Sequence, residues 1–378
     1  MRIPVLMAVL LLLCCPAHGE ELDAALESTL DGLSLNALEE TYRRSFPEGR
    51  GFRETVLSLA KGETALDAGA LLETVGRKLF SQLSGSMSRM ALLLLPAVLC
   101  GLLEKMKSAF SSAAVGEILR VGCFLLLAGT LAGDVGEHVN LCRESVQRMA
   151  DLMQKLFPLL LTLLAAVGGT AGAAFFEPAV TAACGTMTGL VRSVTLPLAA
   201  GAAVVSILDH LSPRIRVGRL SALLRTLSTV TLGVSFTVFI SVTALQSIGA
   251  AAADGVTLRT AKYAVDNFVP VVGGMFADTM DTLVGASLLI KNALGIAGLL
   301  LLLFTAGGSM LQTLAAVLLY RAAGALLEPV AEESVSGCLH AFSDTLMTFF
   351  IIQLSVGAMF LLLAAQLLAV GNLTVMLR

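Results

Sequence analysis

Long apolar runs separated by short polar segments fill most of the chain after residue 90. These runs lie at 90–103, 121–133, 156–176, 178–208, 227–253, 268–290, 293–319 and 345–370. About 20 apolar residues are enough to cross a bilayer as one helix. Arg192 and Pro197 interrupt the fourth run, so we predict two short helices there, arranged as a hairpin. The pattern predicts an all-α, polytopic membrane protein with about seven to nine transmembrane or re-entrant helices.

The first 19 residues have the features of a signal peptide. Arg2 supplies a positive charge, and residues 3–13 are apolar but too few for a stable span. Ala17 and Gly19 are small residues at the two positions that a signal peptidase recognises, so we predict cleavage after Gly19. A retained N-terminal anchor is the alternative. In both cases we expect residues 20–90 to lie outside the cytoplasm.

Residues 20–90 are more polar than the remainder of the chain. They carry 12 acidic and 8 basic side chains, whereas residues 91–378 carry 16 of each. We therefore divide the mature chain into an extracytoplasmic helical segment, 20–90, and a multi-pass membrane domain, 91–378. Two apolar stripes at helical spacing mark the first segment: Phe52, Val56 and Leu59, and then Leu72, Val75, Leu79 and Leu83. Such stripes pack on each other, on a membrane surface or on a partner helix.

Composition and charge narrow the classes of function. Hydrophobic residues make up 56% of the chain and charged residues 14%, well below the ~25% charge of soluble domains. A net charge of −3 without a basic stripe argues against nucleic acid as a partner. The chain has no Gly-Lys dipeptide for a phosphate-binding Walker loop and no His-Glu dipeptide for a helical zinc motif. We therefore expect no catalytic site, no cofactor and no metal.

The positions of arginine and lysine predict the orientation in the membrane. Four arginines fall close together between two apolar runs, at Arg214, Arg216, Arg219 and Arg225. This loop is expected in the cytoplasm, and so are Lys105 and Lys107 if residues 20–90 lie outside. The two assignments agree when the run at 178–208 is a hairpin, and they disagree when it is one tilted helix.

Four ionisable residues inside or beside apolar runs are candidates for a polar path through the membrane. Asp278 and Asp281 lie three residues apart and hence on one helix face. Arg192 and Lys291 are the basic residues that could accompany them. A charge at mid-membrane is costly, so such residues often mark a functional site. The alternative is that run 268–290 is partly interfacial with hydrated carboxylates, and that Arg192 lies in a solvated turn.

Paired glycines occur at Gly168-Gly169, Gly273-Gly274 and Gly307-Gly308. Small residues allow helices to approach closely in lipid. Glycine pairs are also found at hinges, kinks and re-entrant turns. We expect close packing at these pairs, with a hinge or turn as the alternative.

The stretch from Thr257 to Asp278 resembles the stage III sporulation protein AE family. It reads TLRTAKYAVDNFVPVVGGMFAD. The residues of this stretch that carry the family-like motif are Asp266, Asn267, Pro270, Gly273 and Gly274. The continuation DTLVG and SLLIKNA, at 281–285 and 287–293, fits the same pattern. The signal sequence, the polar segment and the order of apolar runs are similar as well, so the resemblance covers nearly the whole chain.

The resemblance implies a multi-pass protein of the mother-cell membrane that surrounds the forespore. It implies stage III sporulation A proteins AA to AH as partners and, through the complex, stage II sporulation protein Q of the forespore. It further implies a channel or secretion-like apparatus needed for late forespore development, with no catalytic residues to assign. Two alternatives remain: a stand-alone small-molecule permease, and a structural anchor that recruits ring proteins through residues 20–90.

Overall fold

The computed structural model describes residues 20–46, 51–63, 68–105, 113–210, 217–268, 273–329 and 333–376. Within these ranges the chain is helical and contains no strand, which confirms the all-α prediction. The helices are α1 (Glu20–Asp31), α2 (Asn36–Ser45), α3 (Phe52–Ala60), α4 (Ala68–Lys105), α5 (Ala113–Ala166), α6 (Thr170–Leu190), a π-helical turn (Val191–Thr195), α7 (Leu196–Asp209), α8 (Gly218–Phe268), α9 (Gly273–Leu327) and α10 (Glu333–Met376).

Within the part of the chain that the structure describes, five helical stretches are long and apolar enough to cross a membrane: Phe124–Ala166, Thr170–Asp209, Gly218–Ala250, Val284–Leu327 and Ser334–Asn372. They confirm a membrane protein with several spans. The larger number of seven to nine crossings stays a prediction. The predicted signal peptide, residues 1–19, lies outside the described residues, which begin at Glu20.

The short helices α1, α2 and α3 pack beside the long ones. The predicted stripe of α3 is buried, with Phe52 and Val56 at 0% exposure. Phe52 packs on the ring of Tyr42, and α3 also contacts α9. The second predicted stripe is different, since Val75 is exposed and belongs to α4. This helix runs without interruption past residue 90, where the sequence suggested a domain boundary.

Helix α5 contradicts the predicted ends of two apolar runs. It is continuous through 134–155, the polar segment between the runs at 121–133 and 156–176, which the pattern predicts to be two separate spans. The run at 156–176 is not one crossing, because the chain turns at 167–169 before α6 begins. Gly168 has φ of +104° at this turn, a conformation that glycine adopts without steric penalty.

The predicted hairpin at 178–208 is wrong. The helix continues from α6 through the π-helical turn Val191–Thr195 into α7 without reversing direction. Arg192 therefore lies within a helix rather than in a turn between two half-helices. Pro197 is the second residue of α7 and directly follows the π-helical turn; a proline inside a continuous helix removes one backbone hydrogen bond.

The core of the bundle lies between α5, α9 and α10, which pack against one another along much of their length. Helix α9 joins the predicted runs 268–290 and 293–319 and is continuous through Gly307-Gly308. It runs antiparallel to α10, since Ser336 donates to Gly324 O and Lys291 to Leu368 O. The turn that the sequence analysis left as an alternative at this glycine pair is therefore absent.

Glycines do permit close helix contacts, although not at the predicted pair Gly307-Gly308. A Cβ at Gly295 would lie 2.3 Å from Leu368, and one at Gly298 would lie 2.4 Å from Leu156. By contrast, a Cβ at Gly307 or Gly308 would meet nothing within 4 Å. Two single glycines of α9 thus permit its close approach to leucines of α10 and α5.

A candidate functional site on α5

A charged and polar face runs along the middle of α5. Its members recur every three or four residues, so they lie on one side of the helix. We call this face the α5 stripe; it comprises Glu137, Asn140, Arg143, Glu144, Gln147, Arg148, Asp151, Gln154 and Lys155. The opposite face is fully buried against α9 and α10, as at Val146, Met149 and Leu156.

Contacts with α9 fix the position of the stripe along the bundle. Asp134, before the stripe, accepts a hydrogen bond from Tyr320. Leu156, after the stripe, packs against Gly298. Between these contacts, Ser309 donates to Ser145 with 2.7 Å between the hydroxyl oxygens. The stripe therefore lies alongside the 298–320 segment of α9.

This segment of α9 is part of a long uncharged region. No charged side chain occurs at 292–320 in α9 or at 345–377 in and after α10. At 1.5 Å per residue, the region in α9 is about 44 Å long, and the hydrocarbon core of a bilayer is ~30 Å thick. The α5 stripe thus occupies the depth at which its two neighbours are suited to lipid.

The stripe is poorly suited to face lipid itself. A charged side chain at the centre of a membrane helix costs at least ~2.5 kcal/mol on insertion scales. Six charged side chains in the stripe would oppose insertion by on the order of 10 kcal/mol if lipid surrounded them. Ion pairing offsets only part of this, as in the exposed Arg148–Glu144 pair at 3.3 Å. The stripe must face water or protein.

Arg192 joins the stripe from the π-helical turn. Its guanidinium donates to Gln147 Oε1 at 2.5 Å, and Gln147 Nε2 donates to Asp151 Oδ1 at 2.6 Å. A π-helical turn contains one more residue than an α-helical turn and often occurs at functional sites. Here it places an exposed arginine from a second helix on the polar side of α5, level with the uncharged segment of α9.

The N-terminal helices lie next to the same side of the bundle. Lys155 Nζ, at the end of the stripe, donates to Thr41 Oγ1 of α2 at 3.2 Å. The ring of Phe46 packs edge-on against Phe304 of α9, with centroids 4.7 Å apart. The ammonium group of Lys78 in α4 also lies over the Phe304 ring, 5.3 Å from its centroid. Polar helices thus extend the charged side of the molecule.

A different side of the bundle is apolar. Helix α8 has no charged residue at 226–253, and Ser228 donates to Thr195 O one turn from Arg192, which places α8 at the depth of the stripe. Its outward face, which we call the α8 ridge, consists of large exposed apolar residues: Leu220, Leu223, Leu227, Val230, Val234, Val238, Val242, Leu245 and Ile248. The bundle therefore has one side suited to lipid and another suited to water.

A buried polar layer crosses the core between α5, α9 and α10. Ser309 bonds Ser145, and Gln353 Nε2 donates to Thr313 Oγ1 at 3.0 Å; all four side chains are at most 4% exposed. Sequence reasoning missed this layer because single Ser, Thr and Gln residues in apolar runs are common. Interhelical hydrogen bonds of this kind fix the register of membrane helices.

Lys291 is buried apart from the stripe. Its ammonium donates to Leu368 O at 3.0 Å, and its side chain has 0% exposure. A Cβ at Gly371 would lie 1.7 Å from Lys291 Nζ and 3.2 Å from Leu164. Arg192 bonds Gln147, 17 residues before Leu164 in α5, so the two basic groups are about 25 Å apart along the bundle. Arg192 and Lys291 therefore do not lie in one cluster.

The other predicted residues lie at the connection between α8 and α9. Asp266 and Asn267 are in the last turn of α8, and Gly273 and Gly274 begin α9. Asp278 and Asp281 occupy the first turns of α9, but their side chains are outside the described part of the structure, and so is Pro270. Their role stays a prediction. Among the described side chains, no group of three His, Cys, Asp or Glu could hold a metal ion.

The long apolar helices and the five candidate spans define a polytopic α-helical membrane protein. Comparison with known proteins identifies its kind: the family model of stage III sporulation protein AE matches residues 51–371, and the chain belongs to that family. A relative named stage III sporulation protein AE, from Bacillus subtilis (strain 168), is 30% identical over 360 residues, which cover 95% of this chain and 90% of the relative. No solved structure matches the chain. The resemblance seen in the sequence is thereby confirmed.

Proposed function

We propose that this protein is a non-enzymatic subunit of a sporulation channel or secretion-like complex and that its α5 stripe lines an aqueous path. The observation that carries the proposal is the position of six charged side chains beside uncharged segments of α9 and α10. Water or a polar partner must cover them at that depth. A chain that only anchored other proteins to the membrane would not need such a face.

Several copies or partners would be needed to enclose the path. Copies in one membrane share one orientation, so two α5 helices facing each other would place Glu137 opposite Glu137 and Arg148 opposite Arg148. Like charges at the same depth repel each other when water is excluded. This favours a water-filled space between the stripes over a dry contact. The apolar α8 ridge would then face the lipid.

The proposed orientation places residues 20–90 outside the cytoplasm. One crossing each by α4, α5 and the continuous α6–α7 stretch then brings the arginine-rich loop before α8 into the cytoplasm. This agrees with the positive-inside rule. The agreement no longer depends on a hairpin at 178–208, because α5 is one continuous helix where the sequence predicted two separate spans.

The proposed partners are the other stage III sporulation A proteins, AA to AH, and through them stage II sporulation protein Q. The proposed location is the mother-cell membrane around the forespore. What supports this is membership of the stage III sporulation protein AE family over most of the chain. The exposed charged residues of α2, such as Glu40 and Arg44, offer an additional surface for an extracytoplasmic partner.

A pair of matched double variants tests the aqueous path. Glu144→Leu/Arg148→Leu removes two opposite charges from the stripe, whereas Glu144→Gln/Arg148→Gln removes the charges but keeps polar side chains. Both would replace the wild-type protein in an endospore-forming host, and membrane abundance and spore yield would be measured. We expect normal abundance for both, with spore yield falling towards that of a null strain only for the leucine variant.

The control is Val234→Leu/Val238→Leu on the α8 ridge, which should leave spore yield unchanged because lipid tolerates either side chain. Normal spore yield from abundant Glu144→Leu/Arg148→Leu protein would contradict the aqueous path. It would leave family membership intact, since that rests on the sequence match.

A further inference from the structure

Two arginines share one carboxylate at one end of the bundle. Asp344 of α10 has one carboxylate oxygen 3.1 Å from Arg321 Nη2 of α9 and the other 3.6 Å from Arg225 Nη1 of α8. Arg225 Nη2 also donates to Ala341 O at 3.3 Å and to Thr345 Oγ1 at 3.2 Å. Three helices thus hold two guanidinium groups close together.

This cluster has an excess of positive charge. Arg321 and Arg225 together carry two positive charges against the single negative charge of Asp344. Exposed Arg219 lies near the start of α8, the same end of that helix as Arg225. The carboxylate of Asp209 precedes α8 in the chain. It accepts hydrogen bonds from Val217 N and Gly218 N, both at 2.7 Å, and so caps the N-terminus of α8.

The cluster is located where a membrane surface would be. Arg321 is the first charged residue after the uncharged segment of α9, and Asp344 is the last charged residue before that of α10. Arg321 remains 54% exposed and Asp344 49% exposed. The charges therefore lie at the boundary of the apolar region, within reach of the headgroup layer.

Apolar side chains continue the cluster towards the middle of the bilayer. Leu318, 44% exposed, lies one turn from Arg321 on the same face of α9. Ile351, 37% exposed, lies two turns from Asp344 on the same face of α10. A guanidinium pair above an apolar strip has the chemistry of a phospholipid site, because the headgroup phosphate meets the arginines while an acyl chain follows the strip.

We propose that Arg225 and Arg321 bind the phosphate of an anionic phospholipid headgroup, with Asp344 holding the two guanidinium groups in place. This site is separate from the α5 stripe and does not depend on the proposed aqueous path. It would couple the position of α8, α9 and α10 to the lipid composition of the membrane leaflet.

The test uses the full-length protein purified in detergent. The temperature of half-unfolding would be measured after addition of phosphatidylglycerol, phosphatidylcholine with the same acyl chains, or inorganic phosphate. We expect phosphatidylglycerol to raise this temperature more than either other addition. Arg321→Gln should abolish the difference between the two lipids, whereas Arg321→Lys, which keeps a charge, should retain part of it.

Arg148→Gln is the matched control, because Arg148 is also an exposed arginine in an ion pair but lies in the α5 stripe. It should retain the full preference for phosphatidylglycerol. An equal preference in Arg321→Gln and wild-type protein would overturn the proposed site. A stabilisation by inorganic phosphate as large as that by phosphatidylglycerol, and lost in Arg321→Gln, would show that free phosphate is the ligand and would overturn the assignment to lipid.

Discussion

At the scale of single residues, the side chain of Lys291 requires a glycine at position 371. The ammonium of Lys291 occupies the space in which any other residue at 371 would place its Cβ, at 1.7 Å. The lysine can reach Leu368 O only because residue 371 is a glycine. Sequence reasoning found Lys291 as an ionisable residue near an apolar run, but only the packing of α9 on α10 reveals its partner.

We predict that Gly371→Ala destabilises the protein by about 1–3 kcal/mol, because the new methyl group displaces a buried ammonium from its hydrogen bond. The measurement is the temperature of half-unfolding of the purified protein. Gly307→Ala is the matched control, since a Cβ there meets nothing within 4 Å, and alanine is the better helix former. Equal stability of Gly371→Ala and wild-type protein would contradict the Lys291 contact.

At the scale of elements, a carboxylate joins α2 to α3. Glu39 Oε2 accepts hydrogen bonds from Phe52 N at 2.7 Å and Arg53 N at 3.4 Å, and Oε1 accepts one from Arg43 Nε at 2.9 Å. Partial burial raises the pKa of Glu39, but these hydrogen bonds and the charge of Arg43 together outweigh it and hold the pKa below its ordinary value. Glu39 thus serves as a distant N-cap for α3.

We predict that Glu39→Gln loosens α3 at neutral pH by removing the charge that favours the helix N-terminus. Because the folded-state pKa is lowered, the stabilisation is complete above the unfolded pKa of about 4.3 and is lost as pH falls through the folded value. Amide hydrogen exchange of α3, compared at equal pH, should differ between variant and wild type at neutral pH and converge in acid. Glu40→Gln, whose ion pair lies within α2, is the control; a pH-independent difference would contradict the cap.

The ends of the long helices were only partly predictable. Amphipathic α3 and the last span were found because their patterns are local. The middle of α5 was mistaken for a connection because its charges were interpreted as the end of a span. Its buried face, with Val146, Met149 and Leu156, nevertheless has helical spacing. Only the contacts with α9 and α10 show that this charged helix lies at the depth of apolar ones.

The candidate site was predictable to a smaller extent. Arg192 was selected as a charge within an apolar run, and it does join a polar face, but its partner Gln147 lies 45 residues away in the sequence. The buried layer of Ser145, Ser309, Thr313 and Gln353 left no periodic signal at all. Contacts between distant helices depend on packing angles and register, which a single sequence does not encode in a local pattern.

At the scale of the whole molecule, the bundle has two unlike sides. The α8 ridge has the character of a lipid-facing surface, and the α5 stripe with Arg192 has the character of a water-facing one. Both lie at the same depth, as the Ser228–Thr195 contact shows. A self-contained membrane bundle would place polar groups inside and apolar groups all around. The two-sided distribution supports the proposal that the chain is a subunit of a larger, water-filled assembly.

Labelling of single cysteines tests this central claim most directly. In a variant without native cysteines, Arg143→Cys and Gln154→Cys on the stripe would be compared with Val234→Cys and Val238→Cys on the α8 ridge, in sporulating cells treated with a water-soluble maleimide. Because all four positions are exposed on the isolated chain, only their surroundings in the membrane distinguish them. We expect the two stripe positions to be labelled and the two ridge positions to be protected. Protection of the stripe to the same degree as the ridge would contradict the account.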